Sequence, residues 1–392
     1  DFCLSRGLGD VYKRQLRSYS YTDAQIREVV RYAARRYVIV VPEIESAAHA
    51  AAALEAYPQF SCGRADVFCE TPATFAFLQE VWKHAFALFP GLYAHIGGDE
   101  VPRGFDEAAL IAHLEPYARA RGRRIVGWSE ILTPHLSKSA IVMVWDSMRR
   151  AAQASSRGNR AVTTGWPLYF DAAQGDASQE PRATRHMSTL AEVYAWDVMP
   201  SGLSQRAKAN VIGGEAALWT ERIRTPSHLF YMLLPRALAL AELLWTPRSA
   251  KSWPSFLQRL PAQFDWLAAN RYAFRIPNPA IGVSGAIFTQ IPGQVQSLNA
   301  WTSAARATIT LSAPIGGAIR YTLDGSAPTG RSPVSVRPLE LDLARGAVDV
   351  RAAAYFRGRW GAISECRIRR VGSAALPRLS LIHISEPTRQ AE

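Results

Sequence analysis

His95-Ile96-Gly97-Gly98-Asp99-Glu100 places two adjacent carboxylates directly behind two glycines, at the end of what reads as a short buried strand, Tyr93 to Ile96. Neighbouring side chains on a regular strand point to opposite faces. Asp99 and Glu100 therefore share one site only if the backbone turns out of the strand. Gly97 and Gly98 make that turn inexpensive and let a ligand approach the main chain closely. An Asp-Glu pair after glycine also occurs in ordinary solvated loops, so the stretch has to be weighed with its surroundings.

Outward from that stretch, helical and strand patterns alternate. Thr22-Asp23 can cap a helix with an apolar stripe at Ile26, Val29, Val30 and Ala33. A short apolar run, Tyr37 to Val41, ends at Pro42-Glu43. Helical spacing returns over about 72–89, with Phe75, Leu78, Val81, Trp82, Phe86 and Leu88, and again over about 106–121. Further strands are expected at Arg124–Trp128, Ile141–Trp145, Ala161–Thr164 and Val211–Glu215, followed by one long helix over about 226–244. Short buried strands alternating with helices indicate parallel βαβ units. Polar and aromatic residues recur just past the strand ends, among them Glu43, His49, Asp99, Glu100, Trp128, Glu130, Trp145, Asp146, Glu215, Trp219 and Glu221. In a (β/α)8 barrel, those positions gather at the face that carries the active site. About six strands are counted between 37 and 215, which suits a (β/α)8 TIM-type barrel two strands short of eight.

The texture changes after Pro277. Residues 276–304 read as a linker rich in Pro, Gly and Ser, and 305–372 as a small all-β sandwich with strands at Ala307–Leu311, Ile319–Leu323 and Val348–Tyr355. Asp324-Gly325 reads as a hairpin signal. The partial barrel is assigned to 16–275. Residues 1–15 and the tail 373–392 match neither the pattern nor the composition of their neighbours. They resemble translated adapter sequence and are read as non-native. On that reading the natural protein starts well before residue 16.

Composition excludes several classes. The 392 residues are 48% hydrophobic and carry a net charge of +12. Only five of the 45 basic residues are Lys, the rest being scattered Arg with no nucleic-acid motif beside them, so no nucleic-acid partner is expected. No run approaches the ~18 apolar residues of a membrane span. Cys3, Cys62, Cys69 and Cys366 show no metal-ligand spacing. Cys62 and Cys69 flank a short loop, as either a disulfide or two free thiols.

The blocks along residues 17–275 resemble glycoside hydrolase family 20, the β-N-acetylhexosaminidases. Val41-Pro42-Glu43-Ile44-Glu45 followed by His49 is similar to the family's strand-three block, and His95 to Glu100 to its signature. Gly127-Trp128-Ser129-Glu130, Tyr169-Phe170-Asp171, Tyr194-Ala195-Trp196-Asp197 and Gly214 to Glu221 follow in family order. The resemblance implies retaining exo-hydrolysis of terminal β-linked N-acetylglucosamine or N-acetylgalactosamine from glycoconjugates or chitooligosaccharides, with no metal or organic cofactor. Its nucleophile is the substrate's own 2-acetamido oxygen, an exception to the usual two-carboxylate scheme. By the same resemblance, Glu100 is the acid/base, with a pKa raised by burial among Trp rings. Asp99 orients the acetamide N–H, and Tyr169 donates to the acetamide oxygen. Trp219 forms the floor under the sugar, while Trp128, Trp145 and Trp196 enclose the acetyl methyl. Glu221 and Asp171 accept from the 4- and 6-hydroxyls. His49 either supports the acid or is structural.

The chain departs from the family where Glu45-Ser46-Ala47-Ala48 replaces Asp-Met-Pro-Gly, which predicts a changed loop path before His49. The family's first two strands, with an Arg that grips the sugar, are not matched. Six strands leave two unpaired edges, an aggregation risk, and are compatible with an inactive polypeptide from an active parent. The C-terminal region, with Tyr321-Thr322-Leu323-Asp324-Gly325, resembles the small β-domain of bacterial chitobiases, whose default role is docking on the barrel. Export to the periplasm or medium is expected from the substrate class. Rival readings are a non-catalytic amino-sugar-binding barrel and a chitinase-like endo-hydrolase. The sequence says nothing of oligomeric state.

Overall fold

Thr22 accepts the Gln25 amide N–H and the Gln25 side chain returns the bond, a capping box that starts helix α1, Asp23–Ala34. The computed structural model to which this helix belongs describes residues 21–372, except 292–293 and 314–315. The segments read as non-native, 1–15 and 373–392, lie outside the described residues. The described chain forms two compact units, one of residues up to 165 with 197–215, the other of 166–196 with residues from 216 onward.

The first unit is built on a five-stranded parallel sheet: β1 Tyr93–His95, β2 Arg124–Trp128, β3 Ile141–Val144, β4 Arg160–Thr163 and β5 Val211–Gly214, in that order across the sheet. Helices α2 Pro72–Leu88, α3 Glu107–Arg119 and α4 Met148–Arg157 belong to this unit. Each starts where a side-chain oxygen accepts an otherwise orphaned N–H, from Thr71, Asp106 and Ser147 respectively. Phe75, Leu78, Trp82, Leu110, Leu114, Ile125, Val142 and Val144 form one buried cluster from the helices and the sheet. Trp82, left on its helical pattern by the sequence reading, is indeed core.

The run Tyr37–Val41, expected as a strand, does not form one. Tyr37 turns at φ 59° and is 99% exposed, and the only ladder contact is a bridge from Glu43 to His95. Among the described residues nothing pairs on its other side; the run is held by Val38 N–H donating to Ala33 and by Val40 packed against Ile26, Leu88 and Phe89. The sheet count is therefore five strands and a bridge, not six.

In the second unit, the long helix expected over 226–244 is two helices, α5 Pro226–Leu233 and α6 Arg236–Trp245, bent by 45°. Pro235 lies between them, where proline removes a donor and crowds the preceding turn. Helix α7 is Trp253–Ala269. No single described helix is long and apolar enough to cross a membrane.

Residues 276–304, read as a linker, contain three strands instead: β6 Ala280–Val283, β7 Ile287–Ile291 and β8 Gln294–Thr302. Strands β9 Arg306–Ser312, β10 Ala318–Thr322, β11 Leu339–Asp342, β12 Val348–Phe356 and β13 Arg359–Arg370 complete two sheets, ordered β10-β12-β13-β8-β7 and β11-β9-β6. One apolar cluster draws Ile281, Ile309 and Leu341 from the smaller sheet and Ala300, Ile319, Val350 and Ile368 from the larger. Asp324-Gly325 lies in the turn after β10, from which the chain returns to pair antiparallel with it: Val334 bridges Arg320, Tyr321 N–H donates to Pro333 and Ser335 N–H to Ile319. Gly325 donates to Asp349 of β12, and the next strand in the chain belongs to the other sheet.

Candidate active site

Strand β1 is hydrogen-bonded on both sides. Ile44 N–H donates to the His95 carbonyl and Ser46 N–H to that of Ile96, while on the other flank Ile96 N–H donates to Val126 and Trp128 N–H to Gly97. The ladder stops at Gly97. Gly97, Gly98 and Glu100 all have left-handed φ, 72°, 102° and 53°. This is the turn that two adjacent carboxylates need. A Cβ on residue 97 would collide with the Glu45 carboxylate, so glycine there also makes room for a side chain from the neighbouring segment.

His49, itself at φ 52°, joins the two acids. Its Nε2 lies 3.2 Å from Glu100 Oε2 and its Nδ1 3.6 Å from Asp99 Oδ2. The changed loop therefore still delivers His49 to the signature. The Glu100 side chain is 64% exposed, however. The burial among Trp rings that was expected to raise its pKa is absent, and its contact is the imidazole instead.

Burial acts on the neighbours. The Asp99 carboxyl is raised chiefly by burial, opposed by His49. Its Oδ1 is buried without a hydrogen-bond partner among the described residues. Glu45 is pushed up to about 9, first by burial and then by the negative charges of Asp99 and Glu43. It is thus a neutral acid at pH 7. Glu215 rises to about 7 by burial and by Glu43. Glu107, at the first position of α3, rises to about 8 by burial and by Glu130, and both its oxygens are buried and unpartnered. His95 is pushed down to about 4 by burial. Its Nδ1 accepts from Gly97 N–H, which leaves the proton on Nε2.

The two tryptophans expected in this unit lie against that acidic layer. Trp128 is buried, edge-on to His95, and its indole N–H donates to Glu43 at 2.7 Å. The Trp145 indole N–H donates to Glu130 at 3.2 Å. Glu45, His49 and Asp99 place ligand atoms within 4.8 Å of one another, close enough for a cation. The His49 bridge and the Glu45–Asp99 contact account for that proximity.

In the second unit, Tyr169 pairs with Ala217 in a parallel bridge: Phe170 N–H donates to the Ala217 carbonyl, and Ala217 N–H to Leu168. That pairing brings two of the expected residues together. The Tyr169 ring meets Trp219 at 5.3 Å and Trp166 at 5.3 Å, both edge-on. Trp219 is 38% exposed and Trp166 57%. Asp171 is buried and raised, by burial first and then by Glu221, so these two carboxylates are also neighbours. Trp196 caps the helix Leu190–Ala195, half-buried, with its indole N–H unpartnered among the described residues.

Sequence reasoning gave no role to Glu45, Glu107 or Trp166. For Glu45 the signal was present: Glu43 and Glu45 are two apart on an extended segment and so share a face. Trp166 stands three residues before Tyr169 in the same turn. Glu107 carried no signal, since a Glu after an Asp cap is ordinary helix chemistry.

Residues 7–248 match the model of the glycosyl hydrolase family 20 catalytic domain, and 308–365 match the "Fn3 associated" family. The chain is 34% identical over 356 residues to a beta-hexosaminidase of Porphyromonas gingivalis, covering 82% of this chain and 44% of that protein. It is 30% identical to a beta-N-acetylhexosaminidase of Cellulomonas fimi, covering 67% and 58%. Its structure resembles the Streptomyces plicatus N-acetyl-beta-hexosaminidase in complex with Thio-NAglucal, with TM-score 0.59, 29% identity and coverage of 65% of this chain and 56% of that one. An exo beta-N-acetylglucosaminidase from Vibrio harveyi in complex with N-acetylglucosamine matches with TM-score 0.58 and 25% identity, covering 65% and 46%. The chain spans about half the length of these relatives. The solved neighbours make the catalytic region that of a TIM barrel, followed by an Fn3-associated region.

Proposed function

The chain belongs to glycosyl hydrolase family 20, and from that premise we propose that it is a retaining exo-β-N-acetylhexosaminidase whose substrate supplies the nucleophile. The observation that carries the reading is His49 held against both Asp99 and Glu100 on a left-handed glycine turn. Glu100 protonates the leaving oxygen and later takes a proton from water. Asp99 accepts the acetamide N–H and steadies positive charge as the acetamide oxygen closes on the anomeric carbon. Tyr169 donates to that oxygen. Glu221 and Asp171 serve sugar hydroxyls, and the open faces of Trp219 and Trp166 suit a pyranose C–H face. Because the attacking oxygen belongs to the substrate, proximity is built in. The substrate class is terminal β-linked N-acetylglucosamine or N-acetylgalactosamine. N-acetylglucosamine bound in the Vibrio harveyi relative supports it.

The test is hydrolysis of aryl N-acetylglucosaminides. Glu100→Gln should cost natural oligosaccharides far more than substrates with activated leaving groups, and equal losses on both reject Glu100 as the acid. One observation favours a second reading, a non-catalytic sugar-binding barrel: the Glu100 side chain is 64% exposed. Binding of N-acetylglucosamine without turnover supports that alternative.

We further propose that the five parallel strands are part of an eight-stranded barrel. The two C-terminal sheets pack as a sandwich, supported by their common core. The protein is exported, supported by the Cys62–Cys69 disulfide, a bond at home in oxidising compartments.

A further inference from the structure

Arg236 opens α6 with 0% exposure. A guanidinium carries five N–H donors and no acceptor. All five are used, and every acceptor is a backbone carbonyl. Nε and Nη2 donate to Met232 at 3.1 and 2.6 Å, Nη1 to Ala172 and Ser188 at 3.0 Å each, and Nη2 to Phe170 at 2.5 Å. The cation also lies over the Phe170 ring, 4.6 Å from its centre. Among the described residues no carboxylate forms an ion pair with it. Its contacts instead grip both ends of the stretch 170–188, which begins with the pair flanking Phe170, Tyr169 and Asp171.

The far side of the same stretch is held by the C-terminal region. The Gln179 side-chain amide behaves as one residue of an added strand. Its nitrogen donates to the Ile363 carbonyl at 3.0 Å, and its oxygen accepts Ile363 N–H at 2.6 Å. Next to it, Glu180 accepts from Arg275 at 2.5 Å and from the Tyr231 hydroxyl at 2.9 Å. A loop secured only by solvent-exposed main-chain bonds would open easily. This one is secured by the Arg236 side chain on its own carbonyls and by its own side chains on neighbouring segments, Gln179 on β13, Gln174 on the Tyr231 and Leu234 carbonyls, and Glu180 on Tyr231 and Arg275.

We propose that Arg236 and Gln179 are positioning residues that hold Tyr169 and Asp171 in their sugar-binding geometry, and that strand β13 of the C-terminal region is one jaw of that clamp. The consequence for sugar affinity rests on the function proposed above. The positioning itself does not. The C-terminal region thereby braces the stretch that carries two sugar contacts.

The experiment uses the full chain with Arg236→Lys, which keeps the charge but not the fork, and Gln179→Ala, a milder change outside the core. Amide hydrogen exchange of 168–174 and calorimetric affinity for N-acetylglucosamine are measured well below the melting transition. Exchange in 168–174 should rise about tenfold in Gln179→Ala and more in Arg236→Lys, with α2 and α3 unchanged. Affinity should fall about tenfold in step, while an Arg357→Ala control in the β12–β13 turn leaves both values unmoved. Unchanged exchange over 168–174 in Gln179→Ala overturns the clamp, and so does faster exchange with unchanged affinity. If the unaltered chain binds no N-acetylglucosamine, the functional reading falls, and the exchange result alone decides the positioning. Should Arg236→Lys fail to fold, Gln179→Ala carries the decision.

Discussion

The two units hold their functional residues by opposite means. In the first, Asp99 and Glu100 stand on a glycine turn beside Glu43, Glu45, Glu107 and Glu215, carboxyls that burial keeps high in pKa. In the second, Tyr169 and Asp171 stand on a stretch whose carbonyls are consumed by one buried guanidinium. The acidic layer avoids mutual repulsion by staying partly protonated. The guanidinium layer stays charged and is satisfied by hydrogen bonds. The first arrangement can change its charge near neutral pH, whereas the guanidinium, pushed down by burial to about 9, stays charged there. A group meant to pass protons belongs in the first kind of environment and a group meant to hold a sugar still in the second.

The largest effect that could break this contrast is Arg236→Ala. It orphans four carbonyl groups at once, and a loss of about 4 kcal/mol is expected in chemical denaturation. A change under 1 kcal/mol would mean that the carbonyls find other partners. Next comes Gly97→Ala, at about 2–3 kcal/mol, from a left-handed φ and the collision with Glu45. The double variant with Glu45→Ala should recover part of that loss, because only the collision is relieved. Strict additivity in the cycle would show that the two sites do not touch.

The acidic layer also predicts a pH dependence. A carboxyl whose folded pKa is raised binds its proton more tightly folded than unfolded. Its stabilisation is complete below the unfolded value near 4.3 and is lost as pH rises through the folded value. For Glu215, Glu107 and Glu45 those folded values are about 7, 8 and 9. Stability should therefore decline between pH 5 and 9. Buried His95, held near 4, opposes it at the acid end, where the unfolded imidazole takes up its proton first. Glu45→Gln, neutral at every pH, should gain about 5 kcal/mol of stability on the parent between pH 5 and pH 9. Parallel melting curves of the two proteins across that range would exclude Glu45 as a buried acid. The smallest effect is expected from Arg357→Ala, which removes an exposed pair with Asp265. Less than 1 kcal/mol should be lost, in contrast with the buried guanidinium of the same unit.

How much of this could be read in the chain depends on the range of the interaction involved. The glycine turn was legible because Gly97-Gly98 before Asp99-Glu100 is a local statement about backbone. The cap at Thr22 was local too, and helix α1 begins there. His49 could be assigned but not placed, since its contact with Glu100 depends on a loop path. Glu45 escaped because its meaning lies in a contact with Gly97, fifty-two residues away. The apolar run 37–41 looked like a strand because composition records no missing neighbour. Residues 276–304 looked like a linker because Pro and Gly conceal the short strands β6 and β7 beside the longer β8. The break at Pro235 was visible as a residue and was overridden by the apolar periodicity around it. The exposure of Glu100 was not legible at all, because it is set by which surfaces cover it.

The central claim is that the substrate's own acetamide, steered by Asp99, does the attacking. Rates should be compared for aryl glucosaminides whose N-acetyl methyl carries zero, one, two or three fluorines, in the parent chain and in Asp99→Asn. A steep fall with each fluorine is predicted for the parent, together with a markedly slower Asp99→Asn enzyme. A parent rate indifferent to fluorination would contradict the claim.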